Sequence, residues 1–442
     1  MKKALYLLAL SVFVVALALF LRQSPPEIQP APEVLFGTSG DVIFSDTFTE
    51  ASSNTNLTSH TPDVGTSWTA VDTRTATIQA KSATDVAQPS ADAGSQGQTV
   101  MADATYPSAN YQVKFKANAI QNTNDDYSRV YARYTAQAAN GYYSFPVSSY
   151  TSEDPTIYKG ASASTETDLL ASFGKYDNSL GSWYTANDIL RFEVIGSDIA
   201  IFGGQNGEEV ARTYISDSSV TSAGRAGFGF GASWALTGGD TVASLQNIDD
   251  FSVVAVGGTV SSWFSPATTG ETDNSFTNPT NAYSSDNSRT TVNFDVGVGT
   301  YDQDYGDFNI SCTGGNTITG ISVRIESLTD FSGYNDWAVA VSDDNGSTWS
   351  TEKTVRIEDM DAVDGNVLLG HAASLWGKSW TCTTLDNDHF RVKIRASARE
   401  STSVDTTAID HVSVRLITDG GGGGGGGGDT GAVDSTVWFT ED

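Results

Sequence analysis

Bond-breaking chemistry needs side chains of the right kind at the right spacing, and this sequence holds few such sets. The four histidines, His60, His371, His389 and His411, are scattered without metal-ligand spacing. Neither G-x-S-x-G nor H-E-x-x-H occurs. Alternate carboxylates along one strand would share a face and could act as acid/base and nucleophile. The nearest run, Glu166-Thr167-Asp168, continues as Leu169-Leu170 and breaks that pattern. The expectation is a chain with no catalytic residues. Recognition chemistry is better supplied: an aromatic ring can lie on the apolar face of a pyranose while polar neighbours bond its hydroxyls. Tyr131 with Arg129 and Arg133, together with Tyr142 and Trp183, are the candidates for that work. Each of these aromatics also reads as a core or structural ring.

The elements that must position them are strands. In "YSRVYARYT" the residues Tyr127, Arg129, Tyr131 and Arg133 fall on one face, and Val130, Ala132 and Tyr134 on the other. "AGFGFGASWAL" puts Phe228, Phe230, Ala232 and Trp234 opposite Gly227, Gly229, Gly231 and Ser233, and such glycines admit close approach of a ligand or another backbone. With "YQVKFKA", "GYYSFPV", "LRFEVIG" and "DIAIFGG", residues 41–257 read as a many-stranded antiparallel sandwich.

The order of motifs in this region resembles the concanavalin A-like (laminin G-like) jelly rolls, a superfamily of lectins and glucanases. The residues that carry the resemblance are "FSDTF" (Phe44 to Phe48), "GTSW" (Gly65 to Trp68), "LRFEVIGSDIAIFGG", "DSSVTSAGRAGFGF" (Asp217 to Phe230) and "IDDFSV" (Ile248 to Val253). The resemblance implies sugar-binding or sugar-cleaving ancestry, and fold alone does not choose between them. It also implies a structural calcium tying first strand to last, which puts Asp46 and Asp250 forward as ligands. The alternative is that Asp46 caps a turn and Asp250 is a solvated edge residue. A second acidic group, Asn124-Asp125-Asp126, reads as a loop tip.

Residues 263–418 repeat the pattern in smaller compass, with "TTVNFDV", "ITGISVRIES", "HFRVKIRAS" and "IDHVSVRLI" as strands. "NPTNAYSSDN", "TITGISVRIE", "LWGKSWT" and "IDHVSVRL" resemble a β-sandwich module of secreted and phage-associated bacterial proteins. Between two of its strands lies "SDDNGSTW", Ser342 to Trp349. Physically this is a hairpin turn: Asp344 accepts bonds from loop N–H groups, Gly346 takes a positive φ, and Trp349 packs on the sheet, with Ser342 and Thr348 completing the set. It resembles the Asp-box of sialidases and related β-propellers. A propeller needs several copies at blade spacing, and the sequence holds one. The sialidase arginine cluster, Tyr nucleophile and acid/base Asp have no assignable counterparts here. The turn is therefore expected to be structural. Cys312 and Cys382, the only cysteines, either pair or remain separate thiols; a bridge closing that loop would be worth about 4 kcal/mol.

Charge excludes one class of partner. With 24 Lys+Arg against 53 Asp+Glu, a net −29 repels a phosphate backbone, so no nucleic-acid partner is expected. The run Ala4 to Leu21 follows Lys2 and Lys3. As a helix at about 1.5 Å per residue it spans about 27 Å, enough to cross a bilayer. Residues 1–22 read as an uncleaved signal anchor or a cleaved signal peptide, and export follows from either. A Pro-rich linker (23–40), the first sandwich (41–257), a short linker (258–262), the second sandwich (263–418) and a Gly-rich stretch with an acidic tail (419–442) complete the plan. The fold class is all-β, with two antiparallel β-sandwich domains after an N-terminal helix. The expected role is non-catalytic and extracellular: glycan or cell-surface ligand binding, with the membrane met only through the N-terminal helix. The alternatives are a purely structural surface or phage-like appendage and a glycoside hydrolase.

Overall fold

The computed structural model describes residues 41–419, except 50–52, 72–76, 91–97, 118–127, 137, 148–155, 161–165, 170–187, 204–208, 231–246, 271–275, 295–298, 313, 315, 331–334, 358–364, 383–384, 386–387 and 399–404. The apolar run Ala4 to Leu21, the Pro-rich stretch, the Asn124–Asp126 group, Trp183 and the Gly run with its tail thus lie outside the described residues. Among the described residues no helix is long and apolar enough to cross a membrane. Their regular structure is strand apart from short 3-10 turns at Leu57–Ser59 and Pro279–Ala282.

The first sandwich pairs two antiparallel sheets. One has the order β14 (Ala211–Ser216), β13 (Asp198–Gly203), β12 (Asp188–Ile195), β7 (Tyr111–Ala117), β16 (Ile248–Ala255), β5 (Val86–Pro89), β4 (Ile78–Lys81), β2 (Thr55–Asn56), with β1 (Val42–Asp46) also on β16. The other runs β11 (Glu166–Leu169), β10 (Ile157–Gly160), β9 (Tyr143–Val147), β8 (Ser128–Tyr134), β15 (Arg225–Phe230), β6 (Thr99–Asp103), β3 (Ser67–Ala70). Period-two alternation decides what lies between them. Val113, Phe115, Phe192, Val194, Ile199, Ile201, Val130, Phe145 and Phe228 all point into one core. At its centre Trp68 meets Phe44, Phe228 and Phe251 with centroids 4.7, 5.1 and 5.2 Å away.

The second sandwich stacks β17 (Thr259–Val260), β26 (Asp405–Thr418), β21 (Ile318–Asp330) and β24 (Gly365–Leu369), with β19 (Thr290–Phe294) on β26, against a second sheet. That sheet has the order β18 (Thr268–Thr269), β20 (Thr300–Gly306), β25 (Arg391–Ala398), β22 (Asn335–Ser342), β23 (Lys353–Ile357). Trp337, Val339, Ile394, Ile325 and Val414 fill its core. Cys312 and Cys382 are joined as a disulfide with Cα atoms 5.2 Å apart. The chain crosses between sandwiches without slack. Val256 is buried against Ile417 and Ala372, Thr259–Val260 already pairs with Ile417–Thr418, and the stretch read as a linker is a strand of the second sandwich. Gly258, at φ 78, packs so tightly that a Cβ would lie 1.6 Å from the Thr418 carbonyl oxygen. Both sandwiches belong to one compact unit.

Candidate functional site

The outer face of the seven-stranded sheet gathers most of the recognition candidates. Ladder registers set a row straight across it: Thr69, Met101, Gly227, Tyr131, Ser144 and Tyr158. Large side chains alternate with small ones along the row. A second row places Thr99, Gly229 and Arg129 side by side. Phe228 and Phe230 point the other way into the core, so the glycine alternation puts both missing side chains on the outer face. What comes close to them is in-sheet: a Cβ on Gly227 would lie 2.7 Å from the Met101 sulfur, and one on Gly229 2.7 Å from the Thr99 hydroxyl.

The Tyr131 and Tyr142 rings have centroids 5.5 Å apart, and Tyr134 joins them, stacked 5.6 Å from Tyr142. All three are buried with Met101. Tyr134 belongs to this face because β8 carries a bulge. Arg133 has φ 52, and the register against β15 shifts between Tyr131 and Tyr134, so two residues of β8 oppose Ala226. Arg133 therefore does not join Arg129 and Tyr131. It is 1% exposed, and its guanidinium donates to the carbonyls of Ala109 (2.8 Å) and Val220 (2.7 Å), tying loops together. The ring with a partly open surface is Tyr158, with the Arg129 guanidinium carbon 5.0 Å from its centroid. Sequence reasoning missed Tyr158, although alternation in "TIYKG" against buried Ile157 carries the signal.

The calcium expectation fails the test of its own residues. Asp46 is 1% exposed because it lies two residues from core Phe44 on the same strand face. Its oxygens accept from Trp68 Nε1 (2.6 Å), Phe48 N (2.7 Å) and His60 Nε2 (2.9 Å). Three N–H donors converging on a carboxylate occupy the lone pairs a hard cation would use. Asp250 has φ 49 at a bulge and pairs with Lys116 Nζ at 2.6 Å. No group of three or more His, Cys, Asp or Glu that could hold a metal ion occurs among the described residues. Asp46 and Asp250 therefore do not fit a calcium site. Asp46 instead locks the turn after the first strand to the central Trp68.

At the Ser342–Trp349 turn, Asp344 accepts from Thr348 N (2.7 Å), Thr348 Oγ1 (2.6 Å) and Ser342 Oγ (2.7 Å). The Thr348 bonds, then that from Ser342, hold its carboxyl down to about 2. Gly346 sits at φ 82 under the edge of Trp349, whose ring lies half-buried on the sheet's outer face with Lys393 Nζ 4.8 Å from its centroid. The Asp344 carboxylate is thus spent on closing the turn, while Asp343 and Asn345 tie it to Lys378 (2.5 Å) and Arg391 (2.8 Å).

No protein-family model matches the chain, and no curated protein matches it. Solved structures that overlap it include the VIP36 exoplasmic/lumenal domain in its Ca2+/Man2-bound form, at 7% identity, 45% of this chain, 86% of that chain and TM-score 0.29. Domain 4 of AbnA, a GH43 extracellular arabinanase from Geobacillus stearothermophilus, in complex with arabinotriose, overlaps at 12% identity, 48% and 94% coverage and TM-score 0.26. The CBM22-1-CBM22-2 tandem of Paenibacillus barcinonensis Xyn10C overlaps at 9% identity, 86% and 98% coverage and TM-score 0.21. Overlaps this loose carry no argument about what the chain binds.

Proposed function

We propose that the chain is an exported recognition protein, without bond-breaking activity, whose first sandwich binds a glycan or another surface ligand along the outer face of its seven-stranded sheet. The observation that carries this reading is the cross-strand row in which Tyr131 and Tyr158 flank Ser144, Gly227 lies on the other side of Tyr131, and the Arg129 guanidinium lies by the Tyr158 ring. Rings supply apolar faces for a sugar ring, and the guanidinium and hydroxyls supply donors for its oxygens. Tyr158 is the contact residue, because Tyr131, Tyr134 and Tyr142 are buried against one another whereas Tyr158 is half-buried. The apolar run Ala4 to Leu21 holds the protein at the cytoplasmic membrane with everything beyond it outside.

The test is a glycan array read with the exported portion of the chain, followed by Tyr158→Ala. Binding that Tyr158→Ala reduces tenfold or more, with an unchanged circular dichroism spectrum, is the expected result. A blank array, or binding that Tyr158→Ala leaves intact, removes the reading. Release of reducing sugar from a bound glycan would favour the hydrolase alternative.

A further inference from the structure

The two sandwiches meet outer face to outer face, and three carboxylates of the first sandwich face cations and donors of the second. Asp198 accepts from Arg415 Nη1 (2.5 Å) and Trp263 Nε1 (3.1 Å), with Tyr214 closing its other oxygen (2.6 Å). The Trp263 ring in turn has the guanidinium carbons of Arg324 and Arg415 4.4 and 4.7 Å from its centroid. Glu193 accepts from Ala372 N (3.0 Å) and lies 3.9 Å from Arg415.

Glu209 accepts from Lys353 Nζ (2.5 Å), Ser374 Oγ (2.5 Å) and His371 Nε2 (3.2 Å). Because His371 Nδ1 accepts from Ala373 N (3.0 Å), its proton is on Nε2 and points at Glu209. Burial opposes charge on Glu209, yet the hydrogen bond from His371 and the charge and hydrogen bond of Lys353 hold its carboxyl well below the usual range.

Backbone and apolar contacts join the same surface. Gly370 N donates to the Glu209 carbonyl (2.7 Å), and Val210 bridges Leu369, so edge strand β14 of the first sandwich is blunted by edge strand β24 of the second. Phe202, Ala200 and Tyr214 pack on Leu368 and Trp263. These are features of an obligate interface: an apolar patch beside charge pairs withdrawn from water, the Arg415–Asp198 pair most completely.

We infer that the first sandwich carries a docking surface for the second, built on Glu193, Asp198 and Glu209, strong enough that the two remain one body when the chain between them is cut. The second sandwich is then a fixed partner of the first, not a module on a tether. Opposite charge pairs the two faces and the β14–β24 edge contact sets their register.

The test uses the full chain with a flexible ten-residue insert bearing a protease site between Gly257 and Gly258. After folding and cleavage, the nicked protein should elute from a sizing column as one species at low-micromolar concentration. In the double variant Asp198→Asn, Glu209→Gln the dissociation constant of the nicked halves should rise at least tenfold. Circular dichroism of the uncut variant shows whether both sandwiches remain folded. If the nicked parent separates while both halves keep their strand signal, the sandwiches are merely tethered and the inference is wrong. It is equally wrong if the double variant, cut and folded, holds together as tightly as the parent.

Discussion

Acidification weakens the second sandwich through His411, and the size of the effect follows from where that ring sits. His411 is 8% exposed, with Nε2 2.8 Å from the Ser265 hydroxyl. Burial first, then the charge of Arg324, pushes its imidazole down from the ordinary 6.5 to about 4, and Asp286 offsets only part of this. The unfolded chain takes up a proton near pH 6.5 while the folded chain refuses it until about pH 4. The unfolded state therefore binds more protons across that window, and stability falls as the pH drops through it. One-site linkage gives a loss of about 2 kcal/mol by pH 5 and about 3 kcal/mol by pH 4. His411→Gln keeps an amide near Ser265 and removes the titration. Urea unfolding of parent and variant at pH 7, 5 and 4 should show the parent losing those amounts relative to the variant. His371, which burial and then Arg191 also push down, weakens both proteins alike, so the difference between them reads His411 alone. Parallel pH curves would refute the reasoning.

Two further outcomes rest on single contacts. Asp46→Ala strips the acceptor from buried Trp68 Nε1 and from Phe48 N, and should cost about 3 kcal/mol in chemical denaturation. Millimolar calcium should leave the parent's stability unchanged, and a calcium-dependent gain in the parent that Asp46→Ala abolishes would show that Asp46 serves a metal after all. Cys312→Ser opens a loop of 70 residues and should lower stability by about 4 kcal/mol, matched by the parent under reductant. A variant as stable as the oxidised parent would contradict the assignment.

The sheets were legible because alternation is a local property. Phe228 and Phe230 against Gly227 and Gly229 could be sorted onto opposite faces from "GFGFG" alone. The same rule failed at Arg133, where a bulge inserts one residue and hands the outer face to Tyr134; nothing in "YARYT" marks the positive φ. Asp46 reads as a ligand or a cap because its true partner, Trp68, lies 22 residues away on another sheet. The joint was least legible. Glu193 and Asp198 sit in a hairpin whose alternation announces only that they face outward, and their partners Ala372 and Arg415 lie 179 and 217 residues further on. An outward charge on a strand reads the same whether it meets water or another domain.

The placement of the joint bears on recognition. Glu193, Asp198 and Phe202 project from the outer face of the nine-stranded sheet, whereas Tyr131, Tyr158 and Arg129 project from the outer face of the other sheet, across the full thickness of the first sandwich. Docking the second sandwich therefore buries one face and leaves the opposite one to the ligand. The two functions should separate by mutation, since the Glu209 cluster lies at the β14 edge of the nine-stranded sheet and the tyrosine row on the other sheet. Asp198→Asn with Glu209→Gln should loosen the nicked protein yet leave glycan affinity within twofold, while Tyr158→Ala should do the reverse. If loosening the joint abolished binding as well, the ligand would have to contact both sandwiches, and the recognition face would have to be sought where they meet.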